Sequence, residues 1–341
     1  MTGTHDARAD LTADPTALDP APGELPAPAQ RPTFYFIGVT TGRSSIRRVF
    51  PRWAEQLGLG DAVLVGIDLP LHAPREDYRR VVEFLKGDPL SLGALVTTHK
   101  IDLYEACADL FDEVDPLARL MGETSCLSKR DGRLLCSAKD PISSGLAVDD
   151  FLRPGYWRES GAEVLLMGAG GSAIAISWYL TRPERGDDRP ARVVVSNRTP
   201  QRLETFRAVY DQFDQGTGGD VPLELVHTPE AGDNDAVLAG LRPGSLVVNA
   251  TGLGKDAPGS PLTDAAVFPR DAVAWDLNYR GDLLFLDQAR SAAEDRGLQV
   301  EDGWVYFLHG WTQVIADVFD VQIPTSGPDF DELGRVAAGT R

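Results

Sequence analysis

Basic residues are the minority charge in this chain. It has 33 Lys and Arg against 51 Asp and Glu, a formal net charge of −18 at pH 7. That balance leaves no basic face of the kind a nucleic acid or an anionic membrane requires, and a solubilising acidic surface accounts for it. Cysteine is scarce as well. The three in 341 residues, Cys107, Cys126 and Cys136, set out no disulfide framework. No basic stretch followed by an apolar one opens the sequence, so a reducing, cytoplasmic setting is expected. Cys126 and Cys136 flank Asp131-Gly132, a hairpin signal, and are expected as buried thiols. Long apolar runs are missing too, since glycine and charge interrupt each one before the ~20 residues of a membrane-spanning helix. Metal-ligand spacing is absent. His99, His309 and Asp140 are the only candidates, and without HExxH or paired cysteines the histidines read as hydrogen-bond partners. Ser44 and Cys126 have no recognisable base or oxyanion elbow, which argues against nucleophilic catalysis.

What remains is an ordinary soluble composition in a chain longer than one core usually serves, so two domains are expected. Residues 1–32, rich in Ala, Pro, Thr and Asp, read as a disordered tail. After it, strands alternate with helices: strands at Phe34–Val39, Ala62–Ile67 and Leu92–Thr97, with helices at Ile46–Leu57 and Glu76–Leu85 between them. Such alternation implies an α/β fold with a parallel sheet. A hairpin at Asp131-Gly132 and a helix from Pro141 to Phe151 follow. From Ala162 a second alternating series begins, with strands at Val164–Met167, Arg192–Ser196, Leu223–Val226, Ser245–Asn249 and Ala272–Trp275. Asp211–Val221 reads as a mobile Gly-rich loop. Trp304–Phe319 is strongly apolar and is expected to fold back onto the first domain as a closing helix. The expected domains are thus 33–157 completed by 303–341, and 158–302.

The apolar strand Val164-Leu165-Leu166-Met167 stops at Gly168-Ala169-Gly170-Gly171-Ser172-Ala173 and an apolar helix follows. This is the pattern of a dinucleotide-binding βα unit: Gly168 permits a tight turn, Gly170 lets a pyrophosphate approach the backbone, and small Ala173 lets the helix pack on the strand. Taken alone the pattern also fits a plain packing turn. The next strand ends in Ser196-Asn197-Arg198-Thr199 where NAD sites usually place an acid for the ribose 2′-hydroxyl; Asn197 and Arg198 suit a 2′-phosphate, which points to NADP.

Together these segments resemble the shikimate dehydrogenase family in composition and order. Ile37-Gly38 with Arg43 and Ser44 resembles its N-terminal substrate loop, and Gly93–Lys100 the segment ending in its catalytic lysine. Gly122–Leu127 and Ser137–Gly145 fall on its two substrate-binding segments, with Asp140 on the catalytic aspartate. Asn249–Gly254, Asp276 with Tyr279, and Asp302-Gly303 fall on further motifs. The resemblance spans Phe34 to Phe319. It implies an N-terminal α/β catalytic domain, a Rossmann NADP-binding domain and a cleft between them. Lys100 would deliver the proton as hydride reaches a ketone, and Asp140 would support its ammonium form. Gly168, Ala169, Gly170, Gly171 and Ser172 would hold the pyrophosphate, Asn197, Arg198 and Thr199 the adenosine phosphate, and Thr251, Gly252 and Leu253 would lie near the nicotinamide. Tyr279 would face the substrate.

The chain departs from the family where the substrate's carboxylate and hydroxyls are held. The second serine of the N-terminal loop falls on Ile46, asparagines on Ala94, Ser125 and Ala138, and the glutamine of the closing helix on Gly310. Unpaired substrate hydroxyls in a buried site would cost ~1–3 kcal/mol each, which argues against shikimate. Arg43 and Lys139 are candidates to hold a carboxylate or phosphate, with Trp311 as an apolar wall; a solvated role for the two cations and a core role for the tryptophan stay open. The expected function is therefore an NADP-dependent oxidoreductase acting on a ring ketone or secondary alcohol of a polyhydroxylated cyclic small molecule other than shikimate. Two alternatives stand beside it: a true shikimate or quinate dehydrogenase, and a non-catalytic NADP-binding sensor or scaffold. Family members occur as monomers and dimers, so a homodimer stays open.

Overall fold

The structure is a computed structural model describing residues 16–216, 220–254 and 257–340. The chain forms two compact units. The first runs to Lys139 and resumes at Trp311; the second is Asp140–Gly310.

The first unit contains β1 (Thr33–Gly38), α1 (Ile46–Gln56), β2 (Val63–Asp68), α2 (Arg75–Gly87), β3 (Ser91–Val96), α3 (Lys100–Cys107), β4 (Glu113–Val114), α4 (Pro116–Met121), β5 (Cys126–Arg130) and β6 (Arg133–Ser137). Their order in the sheet is β2-β1-β3-β5-β6-β4. β1 pairs in parallel with β2 and β3 and is buried at every residue, as its near-continuous apolar sequence requires of an inner strand. The expected parallel sheet is in fact mixed, because β5 runs antiparallel to both β3 and β6. Asp131 and Gly132 both adopt positive φ, +51° and +75°, the geometry of a two-residue hairpin turn that joins neighbouring strands head to tail.

The second unit opens with α5 (Asp140–Phe151) and α6 (Tyr156–Ser160) and continues as β7 (Val164–Met167), α7 (Gly171–Thr181), β8 (Val193–Asn197), α8 (Pro200–Tyr210), β9 (Leu223–His227), α9 (Ala231–Ala239), β10 (Leu246–Asn249), β11 (Val273–Asp276), α10 (Leu284–Arg296) and β12 (Gln299–Glu301). Its sheet is β12-β11-β10-β7-β8-β9, with every pairing parallel. Leu165, Met167, Val247, Phe268, Phe285 and Leu286 form part of the core on one of its faces. α11 (Trp304–Phe319) carries the chain back to the first unit, and α12 (Pro328–Ala338) ends it. There Trp311 and Phe319 set their ring edges against Phe34, and the Trp53 indole donates to the Leu333 carbonyl at 3.0 Å.

The division between the units thus falls before α5 and within α11, where 157/158 and 302/303 were expected. For α5 the cause is Gly145, which lets α7 approach so closely that a Cβ there would fall inside the Tyr179 ring. The Tyr179 hydroxyl then donates to Asp149 at 2.5 Å.

The expected disordered tail is corrected over Thr16–Pro32, which lies along the first sheet. Asp19 accepts the Gly66 N–H at 2.7 Å, Gly23 N–H donates to the Asp68 carbonyl at 2.9 Å, and Ala29 N–H donates to Asp88 at 2.7 Å. These polar partners, unseen by a composition argument, offset the segment's shortage of large apolar groups. Residues 1–15 of the expected tail, and 217–219 of the expected Gly-rich loop, lie outside the described residues. Among the described residues no helix is long and apolar enough to cross a membrane.

Candidate active site

In the second unit the chain winds from β7 outward through β8 and β9, then returns to the other side of β7 with β10. The carboxyl ends of β7 and β10 are therefore the point where strand order reverses, which is where doubly wound sheets bind their ligands. Gly168 leaves β7 with φ +106°, and a Cβ there would lie 2.5 Å from the Ala250 carbonyl oxygen of the neighbouring loop. Only glycine fits. At Gly170 a Cβ would meet no atom within 4 Å, so that glycine leaves open backbone instead of relieving a clash. α7 starts at Gly171 with no side-chain cap and no acid in its first turn, which leaves Gly171 and Ser172 N–H groups for an anion. Ala169 is buried beside them. These residues fit a pyrophosphate.

At the end of β8, Asn197 Oδ1 accepts the Thr199 N–H at 2.8 Å, and the Arg198 carbonyl accepts from His227 Nε2 at 3.1 Å. The turn is fixed by its own amides and leaves the Arg198 side chain exposed. An exposed guanidinium where an acid would bind a ribose fits a 2′-phosphate.

The loop after β10 is pinned by residues outside the expected site. Asn249 Oδ1 accepts from Thr251 N–H (3.2 Å) and hydroxyl (2.6 Å), while its Nδ2 donates to Asp276 at 3.0 Å and to the Leu253 carbonyl at 3.3 Å. Asn278 Nδ2 donates to the same carbonyl at 3.1 Å. Thr251, Gly252 and Leu253 are thereby held by Asn249, Asp276 and Asn278, whose sequence signal is a polar residue closing a buried strand with another two positions on. Burial pushes the fully enclosed Asp276 carboxyl up to about 6, against the amides that donate to it. Tyr279 packs its ring against Trp304 and Phe307, with centroids 5.2 and 4.9 Å away. Burial also pulls His309 down to about 4, so it is neutral at pH 7. Asp140 is buried at the first residue of α5, the end of a helix that favours an acid.

In the first unit Lys100 is the first residue of α3 and partly buried, an unfavourable end of the helix dipole for a cation. The turn delivering it is strained. Thr98, β-branched and at φ +60°, sits at the centre of a γ-turn closed by His99 N–H on the Thr97 carbonyl at 2.5 Å. His99 is enclosed, its Nε2 donating to the Leu69 carbonyl at 3.2 Å and its Nδ1 accepting from the Tyr78 hydroxyl at 3.1 Å. Burial holds its pKa below the usual histidine range. His99 thus braces the turn. Among the described residues no group of three or more His, Cys, Asp or Glu is arranged to hold a metal.

Arg43 is exposed at the end of a single 3-10 turn, Thr41–Arg43, and Ser44 follows, donating its N–H to the Thr41 carbonyl at 3.1 Å. Lys139 is engaged inside the unit: its ammonium pairs with Asp317 of α11, and its N–H donates to Ser125 Oγ at 2.7 Å. Burial raises Asp317, but the Lys139 ammonium, with Ser128 and Arg130, holds that carboxylate below its usual range. Asp317 also binds Arg130 at 3.1 Å and the Ser137 hydroxyl at 3.2 Å. Its one sequence signal is a lone acid on an apolar helix. Trp311 is buried with its ring edge-on to Phe36, centroids 4.9 Å apart, which places it in the core. Ile46, Ala94 and Ala138 are 0%, 0% and 2% exposed.

A glycine turn at the switch point of a doubly wound sheet, in a chain with a second α/β unit, defines a dinucleotide-binding protein of two units. No protein-family model matches the chain. A shikimate dehydrogenase (NADP(+)) of Methylobacterium radiotolerans is 31% identical over 232 residues, covering 67% of this chain and 72% of that one. The chain belongs to the shikimate dehydrogenase family, whose members are NADP-dependent oxidoreductases acting on CH–OH groups. Among solved structures, shikimate 5-dehydrogenase from Thermus thermophilus in complex with NADP(H) and shikimate shares the fold, with TM-score 0.65, 23% identity and 91% and 99% of the two chains covered. So does 5-ketofructose reductase of a Gluconobacter species, with TM-score 0.62, 16% identity and the same 91% and 99% coverage.

Proposed function

We propose that the chain catalyses reversible hydride transfer between NADPH and a ring ketone or secondary alcohol of a polyhydroxylated, carboxylated or phosphorylated cyclic molecule other than shikimate. The observation carrying this is the burial of Ile46, Ala94 and Ala138, 0%, 0% and 2% exposed, where the family resemblance expects polar groups. Buried apolar side chains offer shikimate's hydroxyls nothing to bond, at ~1–3 kcal/mol each. Ser125 Oγ, at a fourth such position, already accepts the Lys139 N–H. At Gly310, where the family has glutamine, a Cβ would meet no atom within 4 Å, so space is left instead of an amide.

Gly168, Ala169, Gly170, Gly171 and Ser172 bind the pyrophosphate through backbone N–H groups, and Asn197, Arg198 and Thr199 take the adenosine 2′-phosphate. Bound NADPH supplies the hydride. Lys100 Nζ donates the proton that the forming alkoxide takes up, and Asp140 keeps that lysine an ammonium, the roles the family resemblance implies. In the reverse direction the neutral amine accepts the proton. Arg43 and Ser44 meet the substrate's anionic group and Tyr279 lies on the substrate side. Lys139, paired with Asp317, and Trp311, packed in the core on Phe36, serve the frame of the first unit in this reading.

The rival reading is shikimate itself, favoured by the name of the Methylobacterium relative. NADPH oxidation and NADP reduction by the purified protein decide between them, using 3-dehydroshikimate, shikimate, quinate, cyclitols and cyclitol phosphates, with Lys100→Ala as control. Turnover of another ring polyol, reduced about 10²–10⁴-fold by Lys100→Ala, is expected. Efficient turnover of shikimate would overturn the substrate reading, and tight NADPH binding without turnover of anything would overturn catalysis.

A further inference from the structure

β2 is an edge strand of the first sheet, and its outer side meets the N-terminal segment. Leu64, Gly66 and Asp68 alternate along that side. The Leu64 carbonyl accepts from Arg47 Nη1 at 3.0 Å, the Gly66 N–H donates to Asp19 Oδ1 at 2.7 Å, and the Asp68 carbonyl accepts from Gly23 N–H at 2.9 Å. Arg47 Nη2 and Asp19 Oδ1 close the set at 2.6 Å. Among the described residues no strand covers this edge; a carboxylate, a guanidinium and one backbone amide do.

The same groups bracket the loop that carries Arg43 and Ser44. Upstream, Thr41 N–H and Oγ1 donate to Asp68 Oδ1 at 2.8 and 2.6 Å. Its side chain lies over Gly66, where a Cβ would collide with Thr41 Oγ1 and come within 3.0 Å of Asp19. Downstream, Arg47 stands in the first turn of α1, 3% exposed, and is held by Asp19. From above, the Thr16 methyl lies 3.5 Å from where a Gly42 Cβ would be. An exposed, glycine-containing turn just past a strand end gains order from these contacts beyond its own 3-10 hydrogen bonds.

The geometry points to Asp19 as a positioning residue: the segment Thr16–Gly23 is a strap that fixes the Thr41–Arg47 loop and so sets where Arg43 and Ser44 meet the substrate's anionic group. The inference rests on the assignment of those two residues to the substrate. Asp19 touches no substrate; it acts through Arg47 and Gly66.

Asp19→Ala and Asp19→Asn, made in the full chain, test it by two readouts. Amide hydrogen exchange at Thr41 and Gly66 requires no turnover. Both are expected to exchange about tenfold faster in Asp19→Ala, and less so in Asp19→Asn, which keeps an acceptor for Gly66 but loses the charge opposite Arg47. Steady-state kinetics on whichever ring polyol the wild type accepts should show KM for that substrate raised about tenfold, KM for NADPH within about twofold, and kcat little changed. Exchange unchanged at both amides overturns the strap. Faster exchange at Gly66 with no change in substrate KM overturns positioning and leaves an edge cover. A wild type that turns nothing over fails the functional reading, while the exchange at Thr41 still decides the strap.

Discussion

The loops that carry the second unit's glycine and asparagine turns are held by backbone and neutral amides, whereas the frame of the first unit is tied by charge pairs. Around Gly168, Asn197 and Asn249 every fixing contact described above is a glycine's close approach or an amide hydrogen bond, and Asp276, the one acid in the web, sits where burial favours its protonated form. In the first unit Lys139 is tied to Asp317, Arg47 to Asp19 and Arg130 to Asp317. On the proposed assignment the difference follows the ligands: a pyrophosphate and a 2′-phosphate would bring their own charge, and a neutral cradle with one exposed Arg198 suits them. In the first unit the paired cations order the frame around the loop that carries exposed Arg43.

If charge frames the first unit, cutting one pair should destabilise it while leaving NADPH binding, proposed for the second unit, intact. Lys139→Ala leaves the Asp317 carboxylate short of its main partner in a largely buried position, and a loss of about 3 kcal/mol is expected by urea denaturation. The double variant Lys139→Met, Asp317→Leu should recover most of it, since a buried pair replaced by apolar groups is often neutral. A loss below about 1 kcal/mol for the single variant would dissolve the contrast.

The reverse expectation holds for Asp276. Its folded pKa is raised to about 6, above the ~3.9 of an unfolded chain, so the native state binds the extra proton. The stability this contributes is full below pH ~4 and is lost as pH rises through about 6. Asp276→Asn keeps an acceptor and lacks that decline. Its stability relative to wild type should therefore improve by on the order of 2 kcal/mol between about pH 4 and 7, measured by denaturation at each pH. A gap that does not move with pH would mean that the carboxyl titrates alike in the folded and unfolded chain.

The smallest expected effect is at the surface. Arg198→Asp should lower preference for NADPH over NADH by about tenfold without altering the unfolding midpoint, because the side chain is exposed and its backbone turn is held by Asn197 and His227. Equal loss with both cofactors would show that the turn, not the charge, had been disturbed.

Legibility in the sequence follows the same line. The strand positions, the Asp131-Gly132 hairpin and the Gly168 turn are readable because each depends on neighbours in sequence: an alternating or continuous apolar run, or a residue that alone tolerates positive φ. Lys139 reads as an open cation in the sequence because its partner lies on α11, far along the chain, and nothing local marks it. Trp311 reads as a pocket wall because a tryptophan beside a small residue suits a wall and a core equally, until Phe34 and Phe36 are seen across from it. The segment from Thr16 reads as disordered because composition weighs apolar content, and this segment is held by polar pairing with β2.

By itself the sequence determined the α/β alternation, the nucleotide-binding turn and the basic character of the residue beyond β8, all of them set within a few residues by backbone conformation and burial period. Tertiary structure alone decided which charges are already neutralised, where α5 belongs, and that the N-terminal segment closes an open sheet edge. Those outcomes depend on which distant groups reach hydrogen-bonding distance, and a one-dimensional pattern carries no measure of that distance.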